Sequence, residues 1–348
     1  MTTLNPHKIC VAILNYNGRE HLERFLPQVL ESVPKELLLI IDNNSDDESL
    51  QFLQQNYPEL QVKILQENYG FAEGYNRGLV DVESAYVLLL NSDVAPEKGF
   101  LEILLTHVMA GDDIAAVQPS VLSHDRPDEY EYAGAAGGLL DVFAYPLCRG
   151  RIFDHLEKYN PDYKDTEIFW ATGCCMLVKT DLFKKAGGFA EHYFAHLEEI
   201  DLCWRFKRMG YRIEVATDAK VFHLGGGTLS YQSAFKTFLN FRNSLYTIFR
   251  NERIGRLLYL LPLRLLLDFV ATGMFLLKGE MGNARAVFRA NRHYFYRLPK
   301  LLEERGELKK LVGELGIGPD RSSIGRLKKS IVWNYYLLGR RNYSEIDS

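Results

Sequence analysis

Apolar runs of strand length recur through the first 120 residues, at 9–14 (ICVAIL), 37–41 (LLLII), 62–65 (VKIL) and 86–90 (YVLLL). They are continuous rather than alternating, as expected of strands buried on both faces. Between them, at about 19–32, 47–56, 72–83 and 97–109, the apolar positions take helical spacing among good helix formers. Strands alternating with helices predict βαβ units, hence an α/β fold with a mainly parallel central sheet flanked by helices. Such sheets bind ligands at the carboxyl ends of their strands.

A polar, glycine-rich stretch over about 123–165 interrupts this alternation and reads as an insertion or a set of loops. A second structured block follows. A strand is predicted over 169–180 (FWATGCCMLVKT), a helix over 198–210 (EEIDLCWRFKRMG) and another strand at YRIEVAT. Leu202, Phe206 and Met209 supply the helical spacing, and Gly210 the stop. From about residue 233 the chain becomes helical, dense in Phe, Leu, Arg and Tyr. The expected organisation is a domain over 1–232, with halves at about 1–120 and 165–232, followed by a helical, basic extension over 233–348. Within that extension, 257–277 (LLYLLPLRLLLDFVATGMFLL) is long enough to span a bilayer, but Pro262, Arg264 and Asp268 interrupt it. A helix lying in the membrane interface is the leading expectation. A span and a helix buried against its own protein are the alternatives.

Charge sharpens this picture. The net formal charge of −4 divides into an acidic body, with 26 Lys and Arg against 37 Asp and Glu over 1–277, and a basic end, with 15 against 8 over 278–348. Arg285, Arg289, Arg292, Arg297 and Lys300 closely follow the apolar segment, as suits contact with an anionic lipid surface. No nucleic-acid-binding motif accompanies the basic end, so nucleic acid is not an expected partner. No apolar run precedes the first strand, so a signal peptide is not expected and the chain is read as cytoplasmic, peripheral on the inner face of the cell membrane. Five cysteines without a CxxC pair read as reduced, packed thiols.

Three strand ends carry candidate chemistry. Asp42, Asn43, Asn44, Ser45 and Asp46 follow the second run, where they can bind a base and ribose or cap the next helix. ENYGFAEGYNRG (67–78) follows the third, its glycines permitting close approach of a ligand at a helix N-terminus. Asn91, Ser92 and Asp93 follow the fourth, ending on a carboxylate that can hold a hard cation against a diphosphate. Each motif alone is as well explained by capping and turns.

Their order in one chain resembles the donor half of the family 2 glycosyltransferases, which have the GT-A fold, and in particular the rhamnosyltransferase-like branch. The resemblance covers about residues 7–250 and is carried by VAILNYNGREHLERFL, IIDNNSDD, ENYGFAEGYNRG, LLLNSDV and HLEEIDLCWR. It implies that Asp42, with Asn15, Asn17 and Asn44, lines the base pocket, and that Asn68 and the Gly70 turn sit by the nucleotide and its phosphates. Asp93 takes the last position of the family's DxD motif as a ligand of Mg²⁺ or Mn²⁺. Asn91 stands where the first acidic residue is usual, with Ser92 between them. His223, in FHLGGGT, matches a family histidine that completes the coordination or contacts the diphosphate. Glu199 falls on the general base of the pattern Glu-Asp-x-Asp, with Glu in place of Asp, and Glu198 and Asp201 flank it. Arg205 is positioned for an i,i+4 pair with Asp201. Trp170 and the Gly173 backbone are expected to border the acceptor, or Trp170 to lie in the core.

The implied activity is inverting transfer of a hexosyl or deoxyhexosyl group from a UDP- or dTDP-sugar, dTDP-rhamnose among them. The implied acceptor is a glycan or lipid-linked hydroxyl in cell-surface polysaccharide assembly, such as O-antigen. A polyprenyl-phosphate sugar synthase on the same fold and an inactive nucleotide-sugar-binding module are the alternatives. A dinucleotide-binding dehydrogenase is excluded by the single glycine in VAILNYNGREH.

Overall fold

The computed structural model describes residues 5, 7–225 and 233–347; the expected motif FHLGGGT therefore lies outside the described residues from 226 onward. In chain order the N-terminal part of the chain contains β1 (Ile9–Asn15), α1 (Arg19–Ser32), β2 (Leu38–Asp42), α2 (Ser49–Asn56), β3 (Gln61–Ile64), α3 (Gly70–Gly78), β4 (Tyr86–Asn91), β5 (Val94–Pro96), α4 (Phe100–Val108) and β6 (Ile114–Ser123). Four short strands follow, β7 (Gly138–Leu140), β8 (Pro146–Cys148), β9 (Arg151–Ile152) and β10 (His155–Leu156). Then come β11 (Thr166–Ile168), β12 (Cys175–Lys179), α5 (Thr180–Lys185), α6 (Glu198–Arg208) and β13 (Arg212–His223). The extension contributes α7 (Ala234–Asn251), α8 (Ile254–Leu277), α9 (Met281–Leu315), α10 (Ile331–Tyr336) and α11 (Tyr343–Asp347).

The central sheet runs β11-β13-β6-β12-β4-β1-β2-β3, with β5 paired to β13. Over β4-β1-β2-β3 it is parallel, as expected. Beyond β4 it is mixed: β12 runs antiparallel to both β4 and β6, and β11 and β5 antiparallel to β13, while β6 and β13 are parallel. Burial on both faces explains the continuous apolar runs. Ile9, Val11, Ile13, Ile40, Leu88 and Leu90 face the core under α1, α2 and α4, while Ala12, Ile41, Leu89 and Met176 face the core under α3, α5 and α6. β6, buried along its whole length, has no forerunner in the sequence reading, because Gln118, Pro119 and Ser120 break its apolar run.

The 123–165 stretch is structured. β7–β10 form a second, four-stranded sheet, and the chain's C-terminal end returns to cover it. Leu327 N donates to Leu140 O at 2.8 Å, Ile331 N to Asp141 Oδ2 at 2.9 Å and Tyr343 N to Glu157 Oε1 at 2.6 Å. Leu139, Leu147, Ile152, Ile331 and Ile346 close one small core between them. Tyr246, Leu260, Tyr294 and Leu301 of the extension join the main core, so α7–α9 pack as part of the same body.

α8 is inverted relative to a helix on a water-soluble surface. Leu260, Arg264 and Asp268, spaced by four, are its buried residues, whereas Leu258, Leu266, Phe269 and Leu277 point outward. Arg264 donates to Phe143 O at 3.0 Å and Ser244 Oγ at 2.6 Å and stacks 3.6 Å over the Tyr145 ring. The charges that interrupt the apolar segment thus face the protein.

Candidate active site

Register brings the ends of β1, β2 and β4 together: Asn15 lies opposite Asp42, and Leu14 opposite Asn91. Asp42 is fully buried and its carboxylate is taken up locally, accepting from Asn15 Nδ2 at 3.0 Å, Ser45 Oγ at 2.7 Å and Ser45 N at 2.9 Å. It shapes the loop from beneath, and the exposed Asn17 and Asn44 form the rim, both at positive φ (50° and 62°). Asn17 Oδ1 accepts from Asp46 N at 2.9 Å, tying the two strand-end loops together. Asn43, one of the short polar residues expected either to bind base and ribose or to cap α2, donates to Asn68 Oδ1 at 3.0 Å and Gly70 O at 2.9 Å, joining the β2 and β3 ends.

Gly70 has φ +74°, and a Cβ there would stand 2.5 Å from the Phe194 ring. The close approach that needs glycine is therefore made by Phe194. Its carbonyl accepts from Phe71 N at 2.7 Å and Ala72 N at 3.2 Å, so these two amides at the N-terminus of α3 are occupied from within the protein. Gly70 N donates to Asn68 Oδ1 at 2.9 Å, which joins the two residues expected beside the nucleotide.

Asn91 N donates to Cys174 O at 2.9 Å, linking the β4 end to the strand-edge segment that holds Gly173. Two residues on, Asp93 meets His223 at the end of β13, with Oδ1 3.1 Å from Nε2. On the other side of the ring, Nδ1 lies 2.9 Å from Glu131 Oε2, and all three side chains are buried. Burial by itself opposes a charged ring, but the Asp93 charge and its hydrogen bond, helped by Glu131, outweigh it and hold His223 well above the usual imidazole range. Burial would likewise raise both carboxyls, and the His223 interactions overcome it to keep Asp93 and Glu131 below their ordinary values. Glu131 had no signal in the sequence: it sits in the stretch read as loops, and only the fold brings it to His223.

Glu198 and Glu199 open α6, whose preceding residue Leu197 is left-handed. Oε2 of each is sealed from solvent without a partner. Burial pushes Glu199 up to about 7. Burial, reinforced by the neighbouring Glu199 charge, pushes Glu198 well above the carboxylate range. A Cβ on Gly173 would come within 3.9 Å of Glu199 Cβ, so Glu199 stands beside the segment tied to the β4 end. Asp201, expected beside them, is occupied differently. It is fully buried, accepts from Arg205 Nε at 2.9 Å and Asn251 Nδ2 at 2.7 Å, and lies 3.1 Å from Arg250 Nη1. The anticipated pair with Arg205 is present, and the network locks α6 to α7. Trp170 is in the core, donating to Leu139 O at 2.9 Å.

Comparison with known proteins converges on one group. Residues 10–187 match the model for Glycosyl transferase family 2. The N-acetylglucosaminyl-diphospho-decaprenol L-rhamnosyltransferase of Mycobacterium tuberculosis is 26% identical over 61% of this chain and 75% of its own length. Among solved structures, S. aureus TarS 1–349 in complex with UDP-GlcNAc superposes with a TM-score of 0.54 at 16% identity, over 88% of each chain. GalNAc-T7 with UDP, GalNAc and Mn²⁺ gives 0.53 at 14% identity, over 70% of this chain and 48% of the other. At these identities the solved structures speak for the GT-A fold alone.

Proposed function

This chain belongs to glycosyl transferase family 2 and is a glycosyltransferase, and from that premise we propose that it moves a hexosyl or deoxyhexosyl group from a UDP- or dTDP-sugar to a hydroxyl of a lipid-linked glycan, inverting the anomeric carbon. The observation that carries this reading is Glu199: a carboxylate with an unpartnered, sealed oxygen, raised to about 7, beside the strand ends that would hold the donor. A base whose pKa lies near the working pH removes a hydroxyl proton most effectively. Glu199 takes the acceptor proton as the hydroxyl attacks, while Glu198 stays neutral and adds no charge to repel the attacking oxygen. A single displacement leaves the sugar inverted and the nucleoside diphosphate departing towards Asp93. The likeness to the mycobacterial rhamnosyltransferase supports dTDP-rhamnose as donor and a prenyl-diphosphate-linked sugar as acceptor.

The Asp93 and His223 atoms fit a divalent cation. The 3.1 Å contact is a hydrogen bond carried by the ring proton on Nε2, and a divalent cation would take the place of that proton, with Glu131 on Nδ1 holding Nε2 turned towards Asp93 Oδ1. Bound there, the cation would neutralise charge developing on the leaving diphosphate. The residues Asn17, Asn44 and Asn68 would meet the nucleotide, with Asp42 and Asn15 supporting the loop beneath.

The outward face of α8 and the start of α9 support work at an anionic membrane surface on the cytoplasmic side. Leu258, Leu266, Phe269 and Leu277 of α8 and Phe288 of α9 are exposed apolar side chains, and Lys278, Arg285 and Arg292, in the same stretch of chain, are exposed too. Arg264 bonds α8 to the 143–144 segment and to Ser244, and Asp268 is buried on the same face, which supports α8 lying on the bilayer with its apolar face outward.

Calorimetric titration with UDP, dTDP and GDP, with and without Mn²⁺, tests the donor site. Metal-dependent binding of one nucleotide, lost in Asp93→Ala, is expected. Folded protein that binds none of them would overturn the assignment and favour a module without donor chemistry.

A further inference from the structure

The turn that delivers Glu198 and Glu199 to the site is held in an unusual conformation. Phe194, His196 and Leu197 all have positive φ, at 64°, 68° and 68°. Phe194, at φ 64° and ψ −59°, centres a tight turn closed by Ala195 N donating to Tyr193 O at 2.8 Å. Side chains with a Cβ rarely adopt this three-residue turn, and such conformations persist only where the surroundings over-determine them.

The surroundings do so here through the carbonyls. Asn243 is fully buried on α7, and its Nδ2 lies 3.2 Å from Tyr193 O, 2.8 Å from Ala195 O and 2.7 Å from His196 O. Arg242 Nη2 donates to His192 O and Tyr193 O, both at 3.0 Å. Arg242 Nε also donates to Asn243 Oδ1 at 2.9 Å, which fixes the amide with its nitrogen towards the turn. Phe194 O is taken by the start of α3, as described above. Every carbonyl from residue 192 to residue 196 is thus held by a group from another element, and the next residues are Leu197, Glu198 and Glu199.

We propose that Arg242 and Asn243 are positioning residues for glycosyl transfer, clamping the 192–197 turn so that Glu199 faces the donor site. The proposal rests on the reading of Glu199 as the base. α7 therefore serves the chemistry of the domain that precedes it in sequence, in addition to carrying the membrane-facing helices. A side chain whose only task is packing would act on stability and on every step alike. A positioning residue acts on the transfer step, because a displacement of about 1 Å in a reacting group costs up to about a hundredfold in rate.

The test compares Arg242→Ala, Arg242→Lys, Asn243→Ala and Glu199→Gln in the full-length protein. It follows nucleoside diphosphate release from a panel of UDP-, dTDP- and GDP-hexoses, hydrolysis without acceptor included, together with nucleotide affinity and melting temperature. Arg242→Ala and Asn243→Ala are expected to lower kcat about tenfold to a hundredfold, with donor KM and nucleotide affinity within about twofold, and Arg242→Lys to recover part of the loss. Unchanged kcat in the folded alanine variants, or kcat and KM altered together, overturns the clamp. If Asn243→Ala does not fold, the half-buried Arg242 decides. Wild-type turnover in Glu199→Gln would sink the base reading instead, whereas an inactive Glu199→Gln beside fully active clamp variants removes the clamp alone.

Discussion

His223 Nδ1 lies 2.9 Å from Oε2 of Glu131, a residue 92 positions earlier in the chain, and this contact turns the opposite ring nitrogen towards Asp93. Carboxylates in this position orient a metal-binding imidazole, and losing them typically weakens metal affinity by about 10–100-fold. Glu131→Gln is expected to weaken Mn²⁺ binding in the presence of nucleotide by that factor, read by electron paramagnetic resonance of free Mn²⁺. His223→Ala and Asp93→Ala should weaken it further.

Glu199→Gln separates chemistry from binding. Turnover should fall by about 10²–10⁴-fold while nucleotide affinity is retained. In the wild type, kcat should rise with pH through about 7 as Glu199 deprotonates, and in the variant this limb should vanish.

The same substitution has a stability consequence of opposite sign. Because the fold raises the Glu199 pKa, proton binding favours the native state fully at low pH, and that contribution is lost as pH rises through about 7. Glu199→Gln should therefore stabilise the protein above pH 7, by on the order of 1–3 kcal/mol, with little gain at pH 5. Urea denaturation at the two pH values measures the difference.

Asp201 should behave as a structural residue. Asp201→Asn removes the charge that Arg205 and Arg250 share, leaving Arg205 buried without a counter-charge and Arg250 with Glu304 alone at 3.3 Å, at a cost of about 3–5 kcal/mol. Burial opposes the Asp201 carboxylate, but Arg250 and Arg205 overcome this and hold it below the ordinary range, so its contribution is present at neutral pH and lost only in acid. A large fall in the urea midpoint at pH 7 is expected, in contrast to Glu199→Gln.

On α8, the double substitution Leu266→Glu and Phe269→Glu should abolish sedimentation with phosphatidylglycerol vesicles without lowering the melting temperature, since both side chains face outward. Wild-type binding should weaken with salt as the basic residues are screened. Unaltered vesicle binding by the double variant would count against the assigned face.

The periodic part of the chain was legible because its physics is local. Runs such as 37–41 and 86–90 are strands because both sheet faces are buried, and the strand-end motifs read from the sequence sit together at one edge of the sheet, with Asn15 opposite Asp42 and Leu14 opposite Asn91. The Asp201–Arg205 pair was legible for the same reason, being one helical turn. What tertiary structure alone decided are relations between distant segments, where spacing in sequence carries no signal. Glu131 reaches His223 only because β6 and β13 run parallel and bring the segments beyond them together. Gly70 is glycine because Phe194 packs on it, and Asp42 is a buried support because Asn15 and Ser45 enclose its carboxylate. Arg264 and Asp268 interrupt an apolar stretch in sequence, yet on the folded helix they share the inward face at i and i+4. The sign of that amphipathicity depends on what lies on each side of the helix, which only the packed body determines.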